Sequence, residues 1–142
     1  MIKRLLLMLV VVGTLCLLSS CSSAKPAATH AEPTDLAGEW KQVNSNSKET
    51  WHSAVIEGET ITIYWVSDGG NAKSLYWAGT YVAPKTSVEP YSWASANDHS
   101  QTDTSLFASG DDTKTITYEK GQLSYSASAL GTTTTVRLAK QK

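Results

Sequence analysis

Histidines are the side chains of this sequence best suited to proton transfer near neutral pH, and there are three of them, His30, His52 and His99. A triad of serine, histidine and aspartate could be assembled from almost any chain this rich in Ser and Asp, so its availability carries no information. The Gly-x-Ser-x-Gly motif that presents a serine nucleophile does not occur in the sequence. We therefore predict no catalytic residue and a protein that is not an enzyme.

Oxygen and nitrogen donors suited to metal ions cluster in two places, Asp98-His99 with Asp103 and Gly110-Asp111-Asp112. Neither cluster has the ligand spacing that encloses zinc or calcium. A third polar segment, Asp68-Gly69-Gly70-Asn71, has the residue types of a tight turn and lacks the bidentate Glu of a calcium loop. We interpret all three as solvated turns and predict neither a metal ion nor a cofactor.

Tryptophan and tyrosine are enriched, since the chain has five Trp and six Tyr but a single Phe. Trp and Tyr are favoured where one edge of a ring is buried and the other meets water, as in binding surfaces. We predict that three rings are structural and fill the interior of the fold: Trp40, Trp65 and Trp77. Four others are candidate binding residues, with core packing as the alternative: Tyr64, Tyr76, Tyr91 and Trp93.

The N-terminal segment has the layout of an export signal, with Lys3 and Arg4 ahead of an apolar run that ends at Leu18. The sequence Leu18-Ser19-Ser20-Cys21 resembles the lipobox of bacterial lipoproteins. The resemblance implies that residues 1–20 are a signal peptide, and that Cys21 carries a diacylglycerol on its sulfur and becomes the first mature residue. It also implies a lipid anchor on the extracytoplasmic face of a bacterial membrane.

Two other interpretations of this segment compete with the lipobox. Ser22-Ser23-Ala24 has the small residues of an ordinary cleavage site, which would release a secreted protein. A retained transmembrane helix would need about 20 apolar residues, whereas this run has about 14 and contains Gly13 and Thr14. The single cysteine at the right place favours the lipobox.

Removal of residues 1–20 leaves 122 of the 142 residues, enough for one small domain. The ten remaining basic residues face thirteen acidic ones, so no basic patch suggests a nucleic-acid partner. Apart from the lipidated Cys21, this part has no thiol and must fold without disulfides. The small residues and prolines after Cys21 predict a flexible linker over 21–35, followed by a folded domain over 36–142.

The domain opens with Gly38-Glu39-Trp40, which resembles the entry motif of lipocalin-like β-barrels, where the Trp closes one barrel end. Strand-like segments separated by turn signals follow to the C-terminus, and no sustained helical period occurs outside the signal. We predict an all-β fold, a small antiparallel barrel of about eight strands, with a β-sandwich as the alternative. The predicted strands are 38–45, 50–57, 60–67, 74–82, 103–109, 113–119, 122–128 and 132–139.

Side-chain parity predicts how some strands pair. A two-residue turn at Lys120-Gly121 pairs Tyr118 with Leu123 and places them on one apolar face with Ile116 and Tyr125. The loop after Ser67 admits a register with the pairs Trp65 with Leu75, Ile63 with Trp77, Ile61 with Gly79 and Tyr64 with Tyr76. Around Gly58 both turn lengths stay open: two residues would place His52 inside, and three would place Trp51 there.

The segment from Pro84 to Thr102 is about twice as long as an ordinary connection and rich in Pro, Ser and Asp. We expect a surface loop, in which a short helix stays open. On such a loop Tyr91 and Trp93 would form an exposed aromatic anchor for a partner. The alternative is that the loop folds back and both rings close the barrel end.

These observations lead to three hypotheses of different classes. The first is a non-catalytic binding module on the cell envelope that engages an envelope protein, a glycan or a small apolar ligand. The second resembles the small lipoproteins with which some prophages and bacteria block phage entry or an envelope enzyme. The third is an envelope hydrolase. In each case the partner of Cys21 is the membrane, either the Gram-positive membrane surface or the Gram-negative outer membrane.

Overall fold

The computed structural model describes residues 32–129 and 131–142. The predicted signal peptide, Cys21 and the first part of the linker lie outside the described residues. Over the described residues the chain forms eight strands, a 3₁₀ turn at Asp68–Gly70 and a short helix, α1, at His99–Thr102. The strands are β1 (Gly38–Gln42), β2 (Trp51–Glu57), β3 (Thr60–Ser67), β4 (Ala72–Thr80), β5 (Tyr91–Ala96), β6 (Thr113–Glu119), β7 (Gln122–Ala129) and β8 (Thr132–Lys140). None of the helices within these ranges has the length and hydropathy that a membrane crossing requires.

All paired strands are antiparallel and form one sheet in the order β4-β3-β2-β1-β8-β7-β6-β5. The sheet curls into a nearly closed barrel. It consists of two four-stranded meanders, β1–β4 and β5–β8, which the pairing of β1 with β8 joins at Trp40 and Lys140. The predicted all-β antiparallel barrel is therefore confirmed, and the sandwich alternative is not needed.

The barrel is incompletely closed at the seam, the gap between the edge strands β4 and β5. Within the described residues, one isolated bridge between Gly79 and Asn97 spans this gap. The backbone N–H of Asp98 also donates to the carbonyl of Ala78, at 2.8 Å. A Cβ on Gly79 would lie 2.5 Å from the carbonyl oxygen of Ala96, so the strands approach this closely because position 79 has no side chain.

One end of the barrel interior is apolar, and we call it the closed end: Leu36, Trp40, Ile56, Ile61 and Tyr118. Trp40 is 2% exposed, and its Nε1 donates a hydrogen bond to the carbonyl of Leu36 at 3.0 Å. The ring of Tyr118 meets Trp40 edge-on, with 6.3 Å between centroids. Trp40 of the Gly-x-Trp motif is thus packed at this end of the barrel.

The predicted turn at Lys120-Gly121 agrees with the structure, and the turn around Gly58, which the sequence left open, is resolved. Tyr118 opposes Leu123, and both Lys120 and Gly121 have positive φ, as a two-residue hairpin turn of this kind requires. Around Gly58 the turn also has two residues, since Glu57 opposes Thr60. This choice places His52, Ala54 and Ile56 inside the barrel and leaves Trp51 on the outer face.

The predicted register between β3 and β4 is correct for one half of the hairpin only. Ile61 opposes Gly79 and Ile63 opposes Trp77, as expected. Beyond these pairs the register shifts, because a β-bulge sets Tyr64 opposite Leu75 and Trp65 opposite Ser74. The extra residue in the bulge is Tyr76, which is buried against interior rings and does not pair with Tyr64 on the outer face.

Two predictions between residues 84 and 109 are wrong. The expected loop contains the strand β5, because Tyr91, Trp93 and Ser95 alternate with outward residues as a strand requires. The short helix that the sequence left open is α1. The strand expected at 103–109 is a loop instead. It contains Leu106 and Phe107, which are both exposed and, being adjacent, could not both have pointed inward from a strand.

Candidate binding site at the open end of the barrel

The end of the barrel interior opposite the closed end is polar, and we call its residues the polar cluster: His52, Trp65, Tyr76, Lys114 and Tyr125. Strand geometry brings them together. His52 begins the inward row of β2, Trp65 ends that of β3, and Lys114 begins that of β6. Because these strands are antiparallel, the same barrel end receives all three positions.

His52 lies at the centre of the polar cluster and is 1% exposed. Its Nδ1 hydrogen-bonds the hydroxyl of Tyr125 at 2.5 Å, and its ring meets that of Trp65 edge-on with 3.8 Å between centroids. Burial, together with the nearby charge of Lys114, lowers the pKa of His52 to about 4. The imidazole is therefore neutral at neutral pH, and its Nε2 is buried without a hydrogen-bond partner.

Tyrosines surround this imidazole. The ring of Tyr76 lies 4.9 Å from that of His52 and stacks on Tyr125, with 6.2 Å between the two tyrosine centroids. The hydroxyl of Tyr76 is also buried without a partner. Burial raises the pKa of Tyr125 well above its usual value, and the neighbouring Tyr76 adds to the effect. The phenol of Tyr125 is thus neutral, and both rings place a hydroxyl group in the polar cluster.

Lys114 supplies the positive charge of the polar cluster. Its Nζ donates to Asp111 at 2.9 Å and lies 5.4 Å from the ring centre of Tyr76 and 5.0 Å from that of Trp77. The side chain of Lys114 is buried, whereas that of Asp111 is 62% exposed. The hydrogen bond from Lys114 is the largest cause of a lowered pKa at Asp111, so the pair keeps the ammonium neutralised at the edge of the interior.

A cavity of about 190 Å³ opens beside the polar cluster, and we call it the mouth cavity. Its inner wall is formed by His52 and Val136, which are buried, and the other residues around it are half-buried or exposed. The lining contains amides, hydroxyls and two indole rings but no carboxylate, ammonium or guanidinium group: Gln42, Asn44, Ser45, Asn46, Thr50, Trp51, His52, Trp65, Thr134, Thr135 and Val136.

Hydrogen bonds fix the polar wall of the mouth cavity. The amide of Asn44 donates to the carbonyl of Thr135 at 2.7 Å and accepts from the backbone N–H of Arg137 at 2.9 Å. The side-chain oxygen of Gln42 accepts from the backbone N–H of His52 at 2.8 Å. These bonds tie the end of β1 to β2 and the chain after β1 to β8, so the wall is held in place without a ligand.

The predicted structural tryptophans lie in two settings. Trp40 and Trp77 are buried inside the barrel, at 2% and 0% exposure, the position that a structural role requires. Trp65 is half-buried and lines the mouth cavity, so it contributes to a surface as well as to packing.

The candidate binding tyrosine Tyr64 is half-buried on the outer face of the barrel, 6.0 Å from Lys73 Nζ, whereas Tyr76 belongs to the buried polar cluster. The structure therefore separates these two rings onto opposite faces of the sheet. A binding role for either one stays a prediction.

Tyr91 and Trp93 do not form the exposed anchor expected of a loop. Trp93 is 5% exposed, donates from Nε1 to the carbonyl of Thr80 at 3.1 Å and meets Tyr81 edge-on at 5.2 Å. Tyr91 stacks on Trp93 at 5.8 Å and donates to the carbonyl of Val82 at 2.7 Å. The alternative in which both rings fold back against the barrel describes them better, because the inward face of β5 carries them.

The acidic cluster around His99 is exposed to solvent. His99 contacts Asp103 at 2.9 Å and Asp112 at 3.2 Å, and the hydrogen bond to Asp103 is the largest cause of a raised pKa at His99. All three side chains are substantially exposed. Among residues 32–129 and 131–142, no group of His, Cys, Asp or Glu side chains has a geometry that could hold a metal ion.

The sequence contained a signal for the polar cluster that parity alone could have found. Lys114 shares the parity of Ile116 and Tyr118, so an inward β6 face implies an inward lysine. His52 shares the parity of Ala54 and Ile56 in the same way.

A comparison of the chain with protein-family models, curated proteins and solved structures finds no match.

Proposed function

We propose that this protein is a lipid-anchored lipoprotein of the bacterial cell envelope whose barrel is a non-catalytic binding module. The anchor is supported by Leu18-Ser19-Ser20-Cys21 at the end of an apolar run with Lys3 and Arg4 at its head. Two acyl chains on one cysteine give stable membrane attachment, whereas a single chain gives only marginal binding. The domain would then sit on the extracytoplasmic face, at the Gram-positive membrane surface or the Gram-negative outer membrane.

The observation that carries the binding function is the mouth cavity, whose inner wall includes His52 with its unpartnered Nε2. A buried polar atom without a partner destabilises a fold by about 1–3 kcal/mol, so its presence calls for an explanation. A ligand in the cavity would supply one after a shift of the cavity wall, since this atom is shielded from solvent as the wall stands. Concave sites at the mouths of β-barrels are also where small ligands commonly bind.

The non-catalytic part of the proposal is supported by the partner of His52. The general-base histidine of a Ser-His-Asp triad is oriented by a carboxylate. The Nδ1 of His52 instead contacts a phenol, Tyr125, whose pKa burial raises. With its own pKa lowered to about 4, this imidazole is a weak base, better suited to hydrogen bonding than to proton abstraction.

The anchor is tested by the change Cys21→Ser, which we expect to move the protein from the membrane fraction to the soluble fraction. The matched control is Cys16→Ser, which removes a thiol from the apolar run but leaves the lipobox intact and should remain membrane-bound. Incorporation of a labelled fatty acid should be lost only in the Cys21 variant. If the Cys21→Ser protein stays wholly in the membrane pellet after a high-salt wash, the lipoprotein proposal is wrong.

A second candidate function is interference with an envelope protein or with phage entry. The observation that favours it is the exposed pair Leu106 and Phe107, at 89% and 59% exposure. Their loop is held to β4, since Ser105 Oγ donates to the carbonyl of Leu75 at 2.9 Å and the N–H of Ser109 to that of Tyr76 at 2.8 Å. A protein partner that crosslinks to this loop, and not to the mouth cavity, would identify the second function.

A further inference from the structure

We infer that the mouth cavity binds a neutral, hydroxyl-rich ligand, namely one sugar unit of an envelope glycan. This inference rests on the proposed binding function and names its ligand class. The lining combines three chemical features that suit a sugar: uncharged walls, indole rings, and fixed amides beside hydroxyls.

The first feature is the absence of charge. Among the described residues that line the cavity there is no Asp, Glu, Lys or Arg, and His52 is neutral because burial lowers its pKa. Lys114 is paired with Asp111 at 2.9 Å and Lys41 lies over the Trp51 ring at 4.1 Å, and neither side chain lines the cavity. A charged ligand would lose water here without gaining a counter-charge, so a neutral ligand is favoured.

The second feature is the pair of indole rings, Trp51 and Trp65. Both are half-buried and line the cavity, and because Lys41 Nζ lies over the Trp51 ring at 4.1 Å, only the rest of that indole is available to a ligand. The face of an aromatic ring carries negative charge density and attracts weakly positive C–H groups. A sugar ring has one face of C–H groups and a rim of hydroxyls, which matches an indole face beside polar side chains.

The third feature is the set of hydrogen-bonding groups. Thr50, Thr134 and Thr135 border the cavity, and within the described part of the chain their hydroxyls make no side-chain hydrogen bond. A threonine hydroxyl both donates and accepts, and so does each hydroxyl of a sugar. Because Asn44 is already fixed by its bonds to β8, the wall needs little ordering when a ligand arrives.

The size of the cavity sets the size of the ligand. Pockets for drug-sized molecules measure roughly 300–1,000 Å³, whereas the mouth cavity measures about 190 Å³. His52 and Val136 close its inner side, so a ligand cannot continue deeper into the barrel. The outer residues are exposed, which allows the remainder of a longer glycan to extend into solvent. One unit of a chain therefore fits better than a whole oligosaccharide.

The experiment uses the full-length lipidated protein in a detergent without a sugar headgroup, because a glycoside detergent would compete. The probes are glucose and N-acetylglucosamine, with glucuronate as the charged analogue. Nuclear magnetic resonance follows the indole N–H signals. We expect saturable shifts at Trp51 and Trp65, no shift at the buried Trp40 and Trp77, and at least about tenfold weaker binding of glucuronate.

The paired change Thr134→Val and Thr135→Val tests the polar wall. Both residues are exposed on β8, so the fold should tolerate the change, and sugar affinity should fall about tenfold because ligand hydroxyls lose their partners. The matched control is Thr132→Val, on the same strand but outside the cavity, which should leave the affinity unchanged.

Three results would overturn the inference: no shift with either neutral sugar, equal binding of glucuronate, or equal weakening by the Thr132 control. Saturable binding of a fatty acid or of a protein at Trp65 in place of sugars would also overturn it, while leaving the binding-module proposal intact. Failure of the anchor proposal is separate, because it would appear in the membrane fractionation and not in the sugar titration.

Discussion

The closed end and the open end of this barrel are built from the same strands but from different side chains. At the closed end the one polar atom of Trp40 is satisfied by the carbonyl of Leu36, and apolar side chains surround the ring. At the open end His52 Nε2 and the Tyr76 hydroxyl are buried without partners. Since an unsatisfied buried group destabilises a fold by about 1–3 kcal/mol, the closed end stabilises the domain and the open end weakens it.

This contrast separates residues that hold the fold from residues available for function. Strained or unsatisfied groups persist where the rest of the structure compensates for them, and such places are where binding sites are found. The apolar end supplies that compensation here. Three changes test the division, beginning with the end that should matter most for stability.

The largest effect is expected from Trp40→Ala at the closed end. Loss of a buried indole leaves a cavity and removes the partner of the Leu36 carbonyl, so the free energy of unfolding should fall by about 3–5 kcal/mol. Chemical denaturation measures this. The matched control is Trp51→Ala at the open end, whose half-buried ring should contribute much less. Equal losses for the two variants would remove the distinction between the ends.

The next effect concerns His52 and pH. Its folded pKa of about 4 lies below the unfolded value of 6.5, so the unfolded chain takes up a proton first as the pH falls. Its contribution to stability is therefore complete above pH 6.5 and is lost progressively toward pH 4, a change of about 3 kcal/mol. Denaturation at several pH values should show this loss.

The control for the pH experiment is His52→Asn, which keeps a polar group near the position of Nδ1 but cannot titrate. It should flatten the curve between pH 6.5 and 4. His99 has the opposite effect on the pH dependence of stability, because its raised pKa stabilises the folded protein below pH 6.5. The parent and the His52→Asn variant are therefore compared with His99→Gln present in both. A His52 resonance that titrates near 6.5 in the folded protein would contradict the buried, neutral imidazole.

The smallest effect is expected from Lys114→Met at the open end. The methionine fills a similar volume, and Asp111 stays hydrated because it is largely exposed, so the free energy of unfolding should change by no more than about 1 kcal/mol. The pKa of His52 should rise but remain below 6.5, because burial and not Lys114 is the larger cause of its shift. A loss of several kcal/mol would show that the buried ammonium stabilises the fold.

The parts of the fold that sequence could predict are those that side-chain alternation and turn chemistry determine locally. Lys120-Gly121 defines its hairpin because the turn requires two residues with positive φ. Side-chain alternation also predicts the β3–β4 pairs at Ile61 and Ile63 correctly. Beyond them, the bulge at Tyr76 shifts the pairing by one residue. A bulge is set by packing across the barrel, in this case by rings on β2 and β7, and local pattern does not contain that information.

The strand β5 was missed because its flanks resemble a loop. Pro84 and Pro90 and the surrounding Ser and Asp residues conceal the short alternation that begins at Tyr91. The mouth cavity was missed for a different reason. Its lining comes from β1, β2, β3, β8 and the chain after β1, so no single segment carries its signature. His52 and Trp65 were visible in the sequence, but their contact depends on the turn at Gly58, which sequence left open.

The order of the strands also determines how the chain could be divided. The two ends of the domain meet, since the N–H of Gln141 donates to the carbonyl of Glu39 at 2.8 Å and Lys140 reaches the carbonyl of Asp35 at 2.9 Å. At the seam, by contrast, few backbone hydrogen bonds join β4 to β5. Residues 81–90 connect these two strands covalently. The domain is therefore suited to circular permutation: a short link from residue 142 to residue 35 with new ends between 82 and 90 would leave every ladder intact.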